Sequence, residues 1–189
     1  MDAGTIGLLA VIVWLAARFG AGYPAIPASV RLLRPREYAT ISAAASATFP
    51  RGGAVPLSGL DANVPEHVDR FVREQPIGNR RLMKLLFVLI EHATIVFPPP
   101  GPGRRRRFSA LTPMQQVAYL EGWRTSRLFV RRLVFTSLRA IVTMGYLSHA
   151  DVLAALDLAP QSIVSRPTEA DGLWPPIGEP SALPGALPS

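Results

Sequence analysis

A pair of helical segments in residues 108–148 constrains the fold most: FSALTPMQQVAYLEGWRTSRLFVRRLVFTSLRAIVTMGYLS. Thr112 is followed by proline and then, at the third helical position, by Gln115, which is the spacing of a capping box at a helix start. A second helix is predicted over residues 126–145. No stretch of the body alternates apolar and polar residues for long, and such alternation is what strands require. The sequence therefore predicts an all-α domain.

Earlier helices follow the same 3.6-residue pattern. One is predicted over residues 34–49, and another begins after Asn63, with an apolar stripe formed by Val64, Val68, Phe71 and Val72. A longer helix is predicted over residues 79–97, with a core face formed by Leu82, Leu85, Leu86 and Leu89. A short helix follows, through residue 156.

These patterns divide the chain into four parts. Residues 1–23 form a predicted membrane anchor helix, and residues 24–33 form a linker with two prolines. Residues 34–157 form a compact helical domain of five or six helices. Residues 158–189 are rich in proline and lack apolar periodicity, which predicts an extended tail.

The first apolar segment, residues 3–22, is interrupted by a single charge, Arg18. As a helix it would be about 30 Å long, close to the hydrocarbon thickness of a bilayer. We expect a single transmembrane helix whose arginine reaches the headgroups; a signal-like segment and a helix buried against another subunit are the alternatives. The predicted anchor residues are Leu8, Leu9, Val11, Ile12, Val13, Trp14, Leu15 and Arg18.

The charges around this segment predict its orientation. Arginines 18, 31, 34 and 36 follow the apolar run, and nothing basic precedes it. Positively charged flanks stay on the cytoplasmic side. The sequence therefore predicts a single-pass protein of the bacterial inner membrane, with its body in the cytoplasm.

Charge is distributed unevenly along the chain. Residues 30–140 carry 18 basic and 7 acidic side chains, whereas residues 141–189 carry 1 and 5. The middle of the chain should bind anionic surfaces, such as lipid headgroups or an acidic protein. The chain has no cysteine, which excludes disulfides, thiolate zinc sites and iron–sulfur clusters.

Arginine and aromatic residues form the predicted docking surface. The loop over residues 98–107 ends in four arginines; it is either a solvated basic loop or a contact for anionic lipid or an acidic partner. Residues 119 and 123 share a helix face, which fits ordinary packing or a protein interface. No motif for nucleic-acid binding accompanies the arginines. The candidate docking residues are Arg104, Arg105, Arg106, Arg107, Tyr119, Trp123, Arg127, Arg131, Arg132 and Trp174.

Groups that could carry chemistry are sparse. His67, His92 and His149 lie on separate predicted helices or caps, and none has a zinc-motif spacing. There is no glycine-rich dinucleotide motif and no P-loop. We therefore expect no catalytic residue, no metal site and no cofactor of the chain's own.

Two segments together resemble a known family. Residues 33–71 have a Leu-x-x-x-Glu helix start, a Phe-Pro stop, a small-residue loop and a Val-Pro helix leading to Asp-Arg-Phe. They are similar to the opening of the gluconate 2-dehydrogenase subunit 3 family. Residues 108–148 resemble a helical region of that family, and also the segment preceding the flavin domain in long-chain alcohol oxidases of the glucose–methanol–choline class. The elements are Phe108, Leu111, Pro113, Tyr119, Leu120, Trp123, Ser126, Arg127, Arg132 and Phe135.

The resemblance, over residues 33–157, implies a small non-catalytic subunit of a flavin-dependent dehydrogenase or oxidase, with FAD in the partner. Some members of the family carry a twin-arginine export signal, which this chain lacks. Together with the anchor, this predicts an accessory subunit that docks a flavoenzyme at the membrane. A structural subunit of another respiratory or photosynthetic membrane complex is the alternative; an enzyme or electron carrier is a third hypothesis.

Overall fold

The computed structural model describes residues 4, 5, 7–9, 13, 18, 19 and 22–158. Residues 22–158 contain six α-helices, and no strand occurs among the described residues, so the all-α prediction is confirmed. Two 3₁₀ turns, Ala93–Ile95 and Phe108–Ala110, accompany them. The helices are α1 (Pro35–Thr48), α2 (Val64–Glu74), α3 (Ile77–His92), α4 (Pro113–Arg124), α5 (Phe129–Leu147) and α6 (Ala150–Ala155).

Part of the predicted anchor lies within the described residues. Leu8, Leu9 and Val13 are helical and exposed. The other apolar anchor residues, Val11, Ile12, Trp14 and Leu15, lie outside the described residues, as do residues 159–189 with Trp174. Within the described part of the chain, no helix combines the length and the apolar character that crossing a membrane requires.

Helix α1 lies at the centre of the body and contacts α2, α3, α4 and α5. Its inward positions are small or β-branched: Ile41, Ala44 and Ala45 are fully buried. Short side chains let several helix backbones approach α1 closely, as dense packing requires. The closest approach involves the loop before α2, where a Cβ on Gly59 would lie 2.6 Å from the carbonyl oxygen of Ala45.

The predicted linker, residues 24–33, is part of the packed body at its C-terminal end. Val30 and Leu33 are buried. The buried carboxylate of Asp69 accepts hydrogen bonds from the backbone N–H groups of residues 31, 32 and 33, at 2.8–3.1 Å. Burial opposes ionisation of Asp69, but these donors outweigh it and lower its pKa. Asp69 therefore fixes the path by which the chain enters α1.

The apolar stripe predicted for α2 is confirmed. Val64, Val68 and Val72 are fully buried, and Phe71 is partly buried against the core. The predicted cap differs in mechanism: Asn63 occupies the N-cap position with φ 51°, and its side chain makes no capping hydrogen bond. A left-handed asparagine turns the chain into the helix instead.

The core face predicted for α3 is wrong for three of its four leucines. Leu82 and Leu85 are 67% and 63% exposed, and Leu89 is also exposed. The buried residues of α3 are Phe87, Ile90, Glu91 and His92. Apart from Lys84, residues 82–90 are all apolar, so apolar side chains occur on nearly every side of the helix. The spacing therefore does not identify the face that is buried in the core.

The capping box predicted for α4 is confirmed. The Gln115 backbone N–H donates to Thr112 Oγ1 at 3.3 Å, and the Thr112 N–H donates to Gln115 Oε1 at 3.2 Å. Helix α5 begins at Phe129, three residues later than predicted. The intervening turn is held by Ser126, whose hydroxyl accepts from the Leu128 N–H at 3.2 Å.

Candidate functional site

Two of the predicted docking residues, Tyr119 and Trp123, are core side chains. Each is 2% exposed. The Tyr119 hydroxyl donates to the Ile90 carbonyl at 3.0 Å, and its ring lies 5.8 Å from the Trp123 ring. Burial raises the pKa of the Tyr119 hydroxyl. The shared helix face is therefore buried in the core, and the prediction that these two rings form a docking surface is wrong.

Arg131 covers the same aromatic cluster. Its guanidinium lies 4.2 Å from the Phe97 ring centroid and 5.1 Å from that of Trp123, and it donates to Ser126 Oγ at 3.2 Å. Such cation–π contacts hold the arginine against the fold. Its partial burial lowers its pKa. Arg131 thus closes the edge of the core.

Arg127 and Arg132 remain exposed at the start of α5. Arg132 Nη1 donates to the carbonyls of Ser126 and Arg127, at 2.7 and 3.0 Å. Neither forms an ion pair with a carboxylate in the described part of the chain. The docking role of these two arginines stays a prediction.

The four-arginine loop has a defined shape. Gly101 and Gly103 have φ of +98° and +66°, values that glycine adopts without strain. Gln115 Nε2 donates to the carbonyls of Pro100 and Pro102, at 3.3 and 2.9 Å, which ties the loop to α4. The side chains of Arg104, Arg105 and Arg106 are exposed, whereas Arg107 is half-buried over the ring of Tyr23 at 4.1 Å.

Arg18 was expected at the headgroup boundary, but it is buried against the helical body. Its Nη1 donates to the carbonyl of Arg105 at 2.7 Å, and its Nη2 donates to Thr94 Oγ1 at 2.8 Å. A cavity of about 440 Å³ opens here, lined by Arg18 and residues 103–106. The end of the N-terminal segment and the arginine loop, remote in sequence, therefore form one basic site.

A buried carboxylate, Glu91, lies behind this site. Thr40 Oγ1 and the Ser109 N–H donate to Glu91 Oε2, both at 3.0 Å, and Ser109 Oγ donates to Oε1 at 2.6 Å. Its side chain joins α1, α3 and the turn before α4. Burial, followed by the charge of Glu91, raises the pKa of nearby Tyr23.

His92, the next residue, is buried and uncharged at neutral pH. Its ring centroid lies 3.9 Å from that of Phe19, and neither ring nitrogen has a hydrogen-bond partner among the residues that the structure describes. Burial, together with the positive charges of Arg18, Arg36 and Arg107, lowers the pKa of His92 to about 4. His92 is thus a neutral aromatic contact for the end of the N-terminal segment.

This pKa predicts an acid-sensitive fold. Because the folded pKa of about 4 lies below the ordinary 6.5, the unfolded chain binds more protons between these values, and stability falls as pH drops through this window. Replacing His92 with phenylalanine removes the titration and keeps the ring contact. Chemical denaturation at pH 7 and pH 4.5 measures the free energy of unfolding. Between these pH values it should fall less for H92F than for the unmodified chain; an equal fall would show that His92 does not cause the acid sensitivity.

The other two histidines are held separately. Ser148 Oγ lies 2.7 Å from His67 Nδ1, and His149 occupies the N-cap position of α6. Within the described residues, no three metal-ligating side chains come together.

An apolar groove between α3 and α5 is a feature that the sequence did not predict. Its volume is about 400 Å³. Phe71, Leu82, Leu86, Ile141 and Met144 line it. Near the groove, α3 carries the exposed Leu85 and Leu89, and α5 carries the exposed Phe129, Leu133 and Met144. A signal was present in the sequence: α3 has more apolar residues than a one-sided helix needs.

Comparisons with known proteins add no relative. The chain matches no protein-family model, and it has no significant match among curated proteins or solved structures. The likeness of residues 33–157 to the gluconate 2-dehydrogenase subunit 3 family therefore stays a prediction from the motifs.

Proposed function

We propose that this chain is a non-catalytic accessory subunit that binds a partner protein through the groove between α3 and α5. Residues 3–22 tether it to the bacterial inner membrane with its body on the cytoplasmic side, and the partner is a flavin-dependent dehydrogenase or oxidase. The observation that carries the proposal is a set of exposed apolar side chains on α3 and α5 beside the groove, which we call the apolar strip. The tether and the flavin of the partner rest on the sequence.

The exposed apolar side chains form one face on each of the two helices. At 100° per residue, Leu82, Leu85 and Leu89 fall within about 60° of one another on α3. Phe129, Leu133 and Met144 are similarly confined on α5, whose 19 residues span about 28 Å. Large exposed apolar areas of this kind mark binding sites in soluble domains.

Basic residues border the strip on both outer edges. Arg81 lies about 40° from Leu85 around the axis of α3. Arg132 and Arg139 lie about 100° around the axis of α5 from the centre of its apolar face. All three are exposed. The sequences of α3 and α5 contain a single acidic residue, the buried Glu91. The complementary surface is therefore apolar with acidic edges.

We assign the occupant as an amphipathic helix of the partner with acidic residues beside its apolar face. A groove between two helices accepts the apolar side of a third, and charges at the edges select its sequence. The groove is concave, which suits a helix better than the flat surface of a bilayer. The role is positional: the tether raises the local concentration of the partner at the membrane.

The test is purification of the tagged full chain from its native membranes in mild detergent. We expect one flavoprotein at equal stoichiometry, with flavin absorbance between 350 and 550 nm. The variant L82E/M144E places two carboxylates in the groove and should reduce recovery of the flavoprotein at least about tenfold, since each buried apolar contact contributes about 1.5–3 kcal/mol.

A matched control is M114E, because Met114 is 85% exposed on α4, outside the groove. It should retain the flavoprotein, and both variants should unfold at the temperature of the unmodified chain. Equal recovery by L82E/M144E, or a complex without flavin, would contradict the proposal. A complex of respiratory or photosynthetic subunits would support the alternative role instead.

A further inference from the structure

We infer that Arg18 and the loop over residues 103–106 form a binding site for a phosphate monoester. The site is the cavity of about 440 Å³ beside the end of the N-terminal segment. It lies on a different part of the body from the apolar groove, and it does not depend on the partner proposed above. The phosphate could belong to a lipid headgroup or to a small soluble molecule.

The cavity is preorganised. Arg18 is 8% exposed, and its two hydrogen bonds to Thr94 and to the Arg105 carbonyl hold its charge in one position. The Arg106 N–H donates to the Gly103 carbonyl at 2.9 Å, which closes a turn in the loop. Gln115 fixes the preceding residues. Fixing Arg18 and the loop backbone in advance lowers the entropic cost of binding an anion, so that the exposed arginine side chains alone must become ordered.

The cavity also holds a concentrated positive charge. Four of the five lining residues are arginines, and the fifth is Gly103. Residues 92–120 contain no aspartate or glutamate. Arg104, Arg105 and Arg106 form no ion pair with a carboxylate among the described residues. Adjacent guanidinium groups repel one another, so a bound anion would stabilise the loop.

The buried Glu91 offsets part of the charge of Arg18 from behind, but it supplies no anion to the exposed arginines 104, 105 and 106. Its two oxygens already accept three hydrogen bonds from Thr40 and Ser109, and it lies behind the cavity rather than lining it.

The chemistry of arginine favours phosphate. Each guanidinium offers a planar set of N–H donors that binds two phosphate oxygens at once. A monoester carries nearly two negative charges and three free oxygens at neutral pH. Several arginines around one cavity therefore match a monoester better than a diester, which has one charge and two free oxygens.

The experiment is native mass spectrometry of the full chain in mild detergent, with titration of three probes: dioctanoyl phosphatidic acid, dioctanoyl phosphatidylglycerol and inorganic phosphate. We expect one molecule of phosphatidic acid to bind, at least about tenfold more tightly than phosphatidylglycerol, because the diester headgroup has one fewer charge and one fewer free oxygen for the arginines. Binding of phosphatidic acid alone identifies a lipid headgroup site. Binding of inorganic phosphate with equal affinity identifies a site for soluble phosphate compounds.

The variant R104Q/R106Q should weaken binding at least about tenfold. The control R70Q/R73Q removes the same number of exposed charges from α2 and should leave binding unchanged. Equal effects of both variants, no effect of R104Q/R106Q, or no binding of either monophosphate probe would overturn the inference. L82E/M144E should retain phosphate binding, so failure of the groove and failure of this site are distinguishable.

Discussion

Replacing Glu91 with alanine should lower the free energy of unfolding by about 3 kcal/mol, because buried donors lose their acceptor. The side chain is 1% exposed and accepts three hydrogen bonds. Alanine would leave the backbone N–H and the hydroxyl of Ser109 without this acceptor, whereas the Thr40 hydroxyl keeps the Arg36 carbonyl at 2.8 Å. An unsatisfied buried group costs about 1–3 kcal/mol. Arg18 would also lose the nearby negative charge.

Chemical denaturation followed by circular dichroism measures this loss. E91Q keeps one acceptor oxygen and should be destabilised less than E91A. The control is E121A, because Glu121 is half-exposed and pairs with Arg124 on the surface, where ion pairs contribute little. If E91A and E121A have the same stability, Glu91 does not hold the three elements together.

Replacing Gly59 with alanine should destabilise the fold by about 3 kcal/mol, at the upper end of the cost of overpacking. The new Cβ would lie 2.6 Å from the carbonyl oxygen of Ala45 and 2.9 Å from its Cβ. The loop cannot easily move away, since the Gly59 N–H donates to the Phe49 carbonyl at 2.9 Å and its own carbonyl accepts from Val64. The clash is therefore with the backbone of α1.

Gly78 provides the matched control. A Cβ there meets nothing within 4 Å, and the residue lies in the first turn of α3. Alanine has the higher helix propensity, so G78A should be neutral or slightly stabilising. Denaturation midpoints of the two variants measure the difference, and a G59A protein as stable as the unmodified chain would refute the close approach of this loop to α1.

Local patterns predicted much of this fold. The valines of α2 repeat with helical spacing and are buried, and Thr112 and Gln115 form the capping box that their spacing indicates. Both features depend on residues within one or two turns of each other. Element boundaries were less accurate, because the turn held by Ser126 delays the start of α5.

The site residues were harder to predict because their environment depends on distant parts of the chain. Tyr119 and Trp123 share a helix face, but sequence alone cannot show that α3 and Phe97 cover it. Arg18 contacts Thr94, 76 positions away. The leucines of α3 were predicted to be buried and are instead exposed, because an apolar stripe in a sequence can face either the core or a partner. The burial of Glu91 had one sign in the sequence: it is the single acidic residue of an otherwise largely apolar helix.

The most direct test of the account is photo-crosslinking from the groove in native cells. A photoreactive amino acid replaces Leu82, which lines the groove and is 67% exposed, or Met114 as the control; mass spectrometry then identifies the crosslinked segment. We predict that position 82, and not 114, crosslinks to a helix of a flavoprotein with acidic residues beside its apolar face. Crosslinks only to lipid, to a second copy, to residues 159–189 of the same chain, or equally from both positions would contradict the account.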